Sequence, residues 1–327
     1  MTKVSAVGVP LEPLPSKGGA IMAKRWAQKH IYLFFLLPGL LIYVLFMVYP
    51  LTSAIGYSLY SWDGMVKGVF QGLENFKVVL TQNPYNIRFW SAFRHNWIFF
   101  GITFLLQSTL GLFFATLFTR EKKGYNLLQA AYFAPYTLSM VVVGFLWLLL
   151  LNPTWGPFNK GLRLIGLGHH AKSWLGQTGT ALYSIVFVNA WRWLGFPILV
   201  FKAGLQGISD EYYEAAKVDG ANAWQAFIRV TLPLVLPNIG MVTILTFIWI
   251  FNTFDLVFIM QGSSGNPYYS TDLLGTFFYR TAFGDSTTGG EPGQTGIASA
   301  IAVLMFLIIS FVSYFGIRSL RKSEVEY

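Results

Sequence analysis

Two charged side chains lie inside stretches that are otherwise long and apolar. Arg192 falls within residues 181–201, and Asp255 falls within residues 239–260, close to the end of that stretch. A charge at the centre of a membrane costs about 2.5–3.5 kcal/mol on insertion scales, so it normally faces the bundle interior or a wet cavity. Two interpretations stay open. Arg192 ties the two stretches together through Asp255 or a backbone carbonyl, or it lines a pathway and meets hydroxyl or carboxylate groups of a solute.

Motifs for enzyme chemistry are missing from the sequence. No Gly-Lys dipeptide occurs, so a P-loop for ATP phosphates is excluded. The four histidines form no H-E-x-x-H pattern, no G-x-S-x-G motif occurs, and there is no cysteine. We therefore predict that the chain is not an enzyme, with no catalytic residue, no metal site and no cofactor of its own.

The composition is typical of a membrane protein. Hydrophobic residues make up 54% of the chain and charged residues only 11%, whereas soluble domains average about 25% charged. The net charge of +9 is not gathered in a dense basic run. We attribute it to loops beside a lipid bilayer rather than to nucleic-acid binding.

Six apolar segments are long enough to cross a bilayer as helices. We predict spans at residues 31–57, 93–118, 127–151, 181–201, 239–260 and 296–317. A basic tail, residues 1–30, precedes them, and residues 319–327 follow as a second tail. The first span is too long for the apolar region of a signal peptide and lacks a small-residue cleavage site, so no cleaved leader is expected. Within the last long connection, residues 272–283 are predicted to form an interfacial amphipathic helix.

Lysine and arginine indicate the orientation of these spans. The N-terminal tail, the turn after the second span, the stretch after the fourth and the C-terminus together hold more of them than the three longer connections do. Cytoplasmic loops collect such residues. We therefore expect both termini in the cytoplasm.

A polar stretch, residues 204–237, separates the fourth and fifth predicted spans. Ser209 or Asp210 can cap a first short helix, and Gly220 can end it. Asn222 can cap a second short helix at residues 223–230. By spacing alone this is also an ordinary connecting loop between two helices.

The residues of this stretch resemble the EAA loop of permease subunits in ABC importers. The matching residues are Glu214, Ala215, Ala216, Asp219, Gly220 and Ala221, followed by Ile228, Thr231, Leu232 and Pro233. The lead-in G-L-Q-x-I at residues 204–208 narrows the resemblance to the carbohydrate, maltose-permease-like group. The resemblance extends over roughly residues 70–318.

In that family the EAA loop lies in a cleft of the ATPase subunit and passes its motion into the membrane. The resemblance implies a polar contact from Glu214 to the ATPase, with close approach at Ala215, Ala216 and Gly220. It also implies that Asp219 caps or orders the turn.

The resemblance further implies two helix faces that line the substrate pathway. On the fourth span these are Trp191, Leu194, Gly195 and Ile198, and on the fifth they are Thr246, Trp249, Ile250 and Thr253. Each set has a spacing that forms one stripe on a helix, and aromatic rings and hydroxyls suit sugars. The tryptophans could equally pack against lipid or a partner. The family places asparagines on these stripes, whereas Asn189 and Asn252 lie off them here, so a shifted register with Asn189 and Arg192 facing the pathway stays open.

The resemblance thus implies an all-α type I permease with six spans, in a bacterial or archaeal cytoplasmic membrane. Its partners would be a second homologous permease, two P-loop ATPase subunits that bind ATP-Mg, and a periplasmic or extracellular solute-binding protein. The cargo would be a sugar or oligosaccharide, possibly acidic, imported by ATP-driven alternating access. The alternatives are an ATP-independent secondary transporter, expected to show internal repeats, and a membrane scaffold without a transport role.

Overall fold

The structure is a computed structural model that describes residues 35–63, 66–119, 124–284 and 293–323. The chain divides into two compact units, residues 1–53 and 54–327. Helix α1 (Phe35–Tyr57) supplies the described part of the first unit, and its last residues belong to the second. The predicted tail at residues 1–30 and the basic turn at residues 120–123 lie outside the described residues.

The second unit is helical, with one β-hairpin. In chain order it contains β1 (Tyr60–Asp63), β2 (Val66–Phe70), α2 (Glu74–Thr81), α3 (Tyr85–Phe118), α4 (Tyr125–Thr137), α5 (Met140–Leu150), α6 (Pro157–Leu164), α7 (Ala181–Trp193), α8 (Gly195–Gln206), α9 (Asp210–Val218), α10 (Ala223–Phe251), α11 (Asp255–Gln261), α12 (Leu274–Phe283) and α13 (Thr295–Ser323). The prediction of a purely helical chain missed the hairpin. Its strands are antiparallel, and the buried Asn75 side chain fixes the adjoining backbone by donating 2.8 Å bonds to the carbonyls of Ser58 and Tyr60.

Helix α3 is the central element of this unit. It packs against α2, α7, α8, α10 and α12. Toward its start, Phe99 belongs to a buried cluster with Ile185 and Leu256. Toward its end, Leu112 belongs to another cluster with Phe201. The side chains of α3 therefore connect both ends of the unit.

Two predicted spans are broken helices. The third consists of α4 and α5, bent by 102°, and the fourth of α7 and α8, bent by 45°. Pro135 in the last turn of α4 and Pro197 in α8 each lack the amide hydrogen that would continue the helical bonding, which favours a break nearby. Within the described residues, four helices are long and apolar enough to cross a membrane, or up to six if each bent pair is one span.

The predicted boundaries of the fifth span were wrong. Helix α10 begins at Ala223, so the expected second short helix is its first part, and it ends at Phe251 instead of continuing to residue 260. One π-helical turn, Phe227–Thr231, interrupts it, and another, Val44–Val48, interrupts α1. Each turn ends two residues before a proline. Proline clashes with the carbonyl four residues earlier, so a wider turn at that place relieves the clash.

The helix predicted at residues 272–283 is confirmed as α12, Leu274–Phe283, while its interfacial position stays a prediction. Helix α12 packs against α3 and α13, and it buries Leu274, Phe277 and Arg280. At the C-terminus α13 continues to Ser323, beyond the boundary at residue 318 that the sequence predicted.

Candidate functional site

The polar stretch folds as a helical hairpin at one end of the second unit, and we call residues 209–230 the coupling segment. Ser209 caps α9, since its hydroxyl accepts a bond from the Glu211 amide. At the other end, Gly220 has φ +75° and donates to the Lys217 carbonyl, while Ala221 donates to the Ala216 carbonyl. These two bonds form a Schellman motif, which requires a left-handed residue that glycine adopts at little cost.

The second half of the coupling segment is also held by local contacts. Asn222 and Gln225 form a reciprocal capping box at the start of α10, with both bonds at 2.9 Å. The Tyr213 hydroxyl lies 3.1 Å from the Thr231 hydroxyl and joins α9 to α10. This contact connects α9 to a helix that is long enough to cross a membrane.

The EAA residues differ in their exposure. Glu214 and Ala215 are exposed and Ala216 is half-buried. Ala215 also lines a groove of about 720 Å³ between α9 and the end of α8. Asp219 lies at the turn with its side chain exposed, and its carboxylate accepts no hydrogen bond from any part of the chain that the structure describes. The backbone of Gly220 and Ala221, rather than the Asp219 side chain, orders this turn.

A second concavity, which we call the inner cavity, lies between α3, α5, α7, α10 and α11. Its volume is about 180 Å³. It brings together six of the predicted pathway residues: Asn189, Thr246, Trp249, Ile250, Asn252 and Thr253. Thr103 and Gln107 of α3 and Trp193 of α7 complete much of the wall.

The wall of the inner cavity combines aromatic rings with hydrogen-bonding groups. The rings of Trp193 and Trp249 stack with centroids 4.6 Å apart. The Thr246 hydroxyl donates to Gln107 Oε1 over 3.4 Å. Thr103 Oγ1 is buried and has no partner within the described ranges. Sequence reasoning missed Thr103 and Gln107, although two polar residues four positions apart in an apolar span are a detectable pattern.

The other predicted residues of the fourth span lie elsewhere. Trp191 packs edge-on against Trp147 at 5.4 Å. Leu194 and Ile198 are buried in a cluster with Phe118. A Cβ on Gly195 would lie 2.9 Å from the Phe133 ring, so the missing side chain allows α8 to approach α4. Because the helix bends at Leu194, these four residues do not share one uninterrupted face.

Comparison with known proteins identifies the family. Residues 107–323 match the model of the binding-protein-dependent transport system inner membrane component. The chain belongs to this family. The match includes both the coupling segment and most of the inner cavity, so the permease is the membrane component of such a system. ATP hydrolysis takes place on a separate subunit, and the ATP-independent alternative is not supported.

Individual relatives cover nearly the full length of the permease. A probable ABC transporter permease protein, YurN, of Bacillus subtilis is 30% identical over 91% of this chain and 99% of its own. The multiple sugar-binding transport system permease protein of Streptococcus mutans is 32% identical over 89% of this chain and 95% of its own. In the crystal structure of a bacterial ABC transporter that imports the acidic polysaccharide alginate, one chain matches with a TM-score of 0.74 at 23% identity, covering 93% of this chain and 100% of that one. That likeness shows the type I permease fold.

Arg192 of the permease joins the two broken spans. Its Nη2 donates to the Leu138 carbonyl over 2.9 Å, and Leu138 is the residue at which α4 ends. Its guanidinium carbon lies 4.8 Å from the centre of the Trp193 ring. The Nε and Nη1 donors are buried without a partner in the described chain. Arg192 is not among the residues that line the inner cavity.

The ion pair with Asp255, one of the interactions left open for Arg192, does not form. The fifth span ends at Phe251, and Asp255 is the exposed first residue of the separate helix α11, where it lines the inner cavity. The backbone interaction that we considered for Arg192 exists, but its acceptor belongs to the third span rather than the fifth.

Asp272 and Arg280 form a buried ion pair that we did not predict from the sequence. Arg280 Nη2 lies 2.7 Å from Asp272 Oδ2 and Nη1 lies 3.2 Å from Oδ1, and both side chains are less than a tenth exposed. Thr276 also donates to Asp272 over 2.6 Å. Burial raises the pKa of the Asp272 carboxyl, and Arg280 and Thr276 oppose the rise because they bond to the ionised form. The spacing of four residues from Asp272 to Thr276 and again to Arg280 was the available sequence pattern.

Proposed function

We propose that this chain is the permease subunit of a sugar or oligosaccharide importer and crosses the cytoplasmic membrane six times, with both termini in the cytoplasm. The spans would be α1, α3, the pair α4 and α5, the pair α7 and α8, α10, and α13. Residues 1–30 would be a cytoplasmic tail, residues 319–327, which include the end of α13, would also lie in the cytoplasm, and residues 204–237 would form the coupling loop. The lysines and arginines of the sequence support this orientation, because they are more frequent in the stretches assigned to the cytoplasm than in the three longer connections.

The exposed face of the coupling segment carries this proposal. A helix that ends in exposed apolar residues normally meets a partner, and Val218 is 87% exposed and Trp224 68% exposed. We propose that these residues, with Glu214, Ala215, Ala216 and Gly220, dock in a cleft of the ATPase subunit. Closure of the two ATPases would then displace α9, and the contact between Tyr213 and Thr231 would transmit the movement to α10.

The inner cavity would be part of the sugar pathway. Its stacked tryptophans can hold the apolar face of a sugar ring, while the amides of Asn189 and Asn252 and the hydroxyl of Thr246 can bond to sugar hydroxyls. Its volume of about 180 Å³ is below the roughly 300–1,000 Å³ of usual ligand sites. We infer that the second permease subunit and the outward movement of the spans complete the site.

Two observations indicate the class of cargo: the name of a relative and the residues that line the inner cavity. The relative from Streptococcus mutans is named as a multiple sugar-binding transport system permease. The lining of aromatic, amide and hydroxyl groups fits a carbohydrate. A pathway role for Arg192 would require the guanidinium to leave the Leu138 carbonyl and turn toward the cavity in another state of the transport cycle.

Gentle detergent extraction from the native membrane tests the assembly. We expect a P-loop ATPase, a second permease and a solute-binding protein to be retained with the tagged wild-type chain. Replacing residues 214–220 with a Gly-Ser linker should release the ATPase but keep the second permease. The same replacement at residues 164–170, which lie in an exposed connection away from the coupling segment, is the matched control. A chain that purifies alone, under conditions that keep known importers assembled, would contradict the proposal.

A further inference from the structure

A larger cavity lies at the end of the second unit opposite the coupling segment, and we call it the outer cavity. Its volume is about 750 Å³. Its walls are the first turns of α3, the start of α7 and the loop before α12. The side chains that give it its chemistry are Arg88, Arg94, His95, Tyr183, Tyr268 and Tyr269.

The outer cavity is separate from the inner cavity. From His95 in one to Thr103 in the other is about 12 Å along α3, at about 1.5 Å per residue. Between them lies the buried cluster that contains Phe99 and Val186. Neither cavity includes a residue that lines the other.

Two arginines give the outer cavity its positive charge. Within the described residues the ion pairs are Lys77 with Glu74 and Arg280 with Asp272. Arg88 and Arg94 therefore have no carboxylate within ion-pair distance there. Asp272 also borders the cavity, but both of its oxygens bond to Arg280. The charge available to a ligand is thus that of two guanidinium groups.

Neighbouring groups orient Arg88 and His95 at this cavity. The Arg88 guanidinium lies 3.5 Å from the centre of the Tyr269 ring, which fixes its plane. The His95 Nδ1–H donates to the Asp272 carbonyl over 2.9 Å, because a carbonyl can only accept. The second ring nitrogen of His95 is thereby left for another partner.

Two tyrosines in the loop before α12, residues 262–273, which we call the outer loop, adopt an unusual backbone. Tyr268 has φ 52° and Tyr269 has φ 62°, a region that non-glycine residues rarely occupy. Such conformations persist where the surrounding structure imposes them, and they cluster at ligand-binding sites. Here the turn places Tyr269 against Arg88 and leaves Tyr268 89% exposed at the edge of the cavity.

We infer that the outer cavity binds the oxyanion of an acidic sugar, a carboxylate or a phosphate, before the sugar reaches the inner cavity. Guanidinium groups match these oxyanions through paired hydrogen bonds, and exposed tyrosine rings suit the apolar face of a sugar. The volume is within the range of usual ligand sites. The inference rests on the proposed function, and it adds that selectivity for charged sugars resides at the outer cavity.

Binding and uptake by the intact complex in lipid nanodiscs and proteoliposomes test this site. The probes are trigalacturonate, glucose 6-phosphate and neutral maltotriose. We expect the Arg88→Gln/Arg94→Gln variant to bind at least one acidic probe about tenfold or more weakly, since it loses two charge-assisted contacts, with maltotriose unchanged. Lys160→Gln/Arg163→Gln is the matched control, because it removes the same charge from exposed positions that do not line this cavity. Arg88→Lys/Arg94→Lys keeps both positive charges and should retain part of the affinity for the acidic probe. This variant therefore distinguishes the loss of charge from a failure of the glutamine variant to fold.

Several outcomes would overturn the inference without touching the proposed function. The first is that the wild-type complex imports maltotriose but binds neither acidic probe. The second is that the glutamine double variant loses affinity equally for the acidic and the neutral probes. A third is that the double variant loses only the ATPase stimulation caused by sugar-free binding protein; the arginines would then belong to a docking surface. By contrast, absence of ATP-dependent uptake of any sugar by the wild-type complex would contradict the proposed function itself.

Discussion

The coupling segment and the outer loop both place polar side chains beside a helix end, but different contacts hold them. In the coupling segment the caps join residues at most five positions apart, such as Asn222 with Gln225. In the outer loop the contacts are distant in sequence. His95 bonds to the Asp272 carbonyl, and Asn96 accepts from the Leu274 amide over 2.9 Å while it donates to the Ile250 carbonyl over 3.0 Å.

This difference has a consequence for movement. A hairpin closed by its own caps can keep its shape while it moves as a unit against a partner. The outer loop and the start of α12 are anchored to α3 by buried bonds, and Asn96 of α3 is itself bonded to α10, so the loop can move only if α3 moves. We therefore expect damage to the outer loop to unfold the permease, and damage to the coupling segment to leave it folded but inactive.

The largest effect is expected at the buried ion pair. Asp272→Ala leaves Arg280 as an uncompensated buried charge, which typically costs about 3–5 kcal/mol. Thermal unfolding of the detergent-solubilised complex, followed by tryptophan fluorescence, should show a large fall in the midpoint. Glu74→Ala is the control, because it removes an exposed pair with Lys77 that is worth about 0–1 kcal/mol. Equal midpoints for the two variants would contradict the assigned role of the pair.

The next effect is expected at Gly220. A valine at φ +75° is strained by at least about 1–2 kcal/mol, the cost of the left-handed region for a residue with a Cβ. Gly220→Val should lower ATP-driven uptake at least about tenfold, and it should lower the unfolding midpoint less than Asp272→Ala does. Gly220→Asn is the rescue variant, since asparagine tolerates this conformation. If valine and asparagine give the same uptake, the Schellman turn is not needed for coupling.

Two tryptophans test which of the predicted helix faces lines the sugar pathway. Trp249 lines the inner cavity, whereas Trp191 packs against Trp147 outside it. Trp249→Ala should raise the KM for sugar uptake roughly tenfold, because one stacked ring contributes about 0.5–1.5 kcal/mol beyond its buried area. Trp191→Ala should change KM much less, at comparable expression. The reverse order would favour the stripe predicted from the sequence on the fourth span.

The smallest effect is expected at the first cap of the coupling segment. Ser209→Ala removes the bond to the Glu211 amide, and loss of such a cap costs about 0.5–2 kcal/mol of helix stability. Amide hydrogen exchange over α9 should speed up a few-fold. Exchange over α12 should stay unchanged, and a change there would show that the two regions are not independent.

Contacts between near neighbours in the sequence were easier to predict than contacts between distant residues. The Asn222 cap, the Gly220 turn and Ser209 as a possible cap were predicted because each depends on neighbours in the sequence. The partner of Arg192 and the end of the fifth span were not predicted, because they depend on which helices meet. The pair of Asp272 and Arg280 was missed although its spacing was visible, because its burial depends on the packing of α12 against α3 and α13. The predicted pathway residues of the fifth span line the inner cavity, whereas most of those on the fourth span do not. Thr246 and Trp249 fell on one wall of the inner cavity, while the bend at Leu194 displaced Trp191 and Ile198 from it.

The central claim is that the coupling segment transmits ATP-driven movement to the sugar pathway. The most direct test is to measure sugar uptake and ATP hydrolysis together in proteoliposomes that contain the complex with Glu214→Lys, beside Glu74→Lys as a control. Glu214 is exposed on α9, so the substitution should not disturb folding. The account predicts a chain that is inserted and assembled, with uptake nearly abolished while ATP hydrolysis continues. Uptake at the wild-type rate would contradict it.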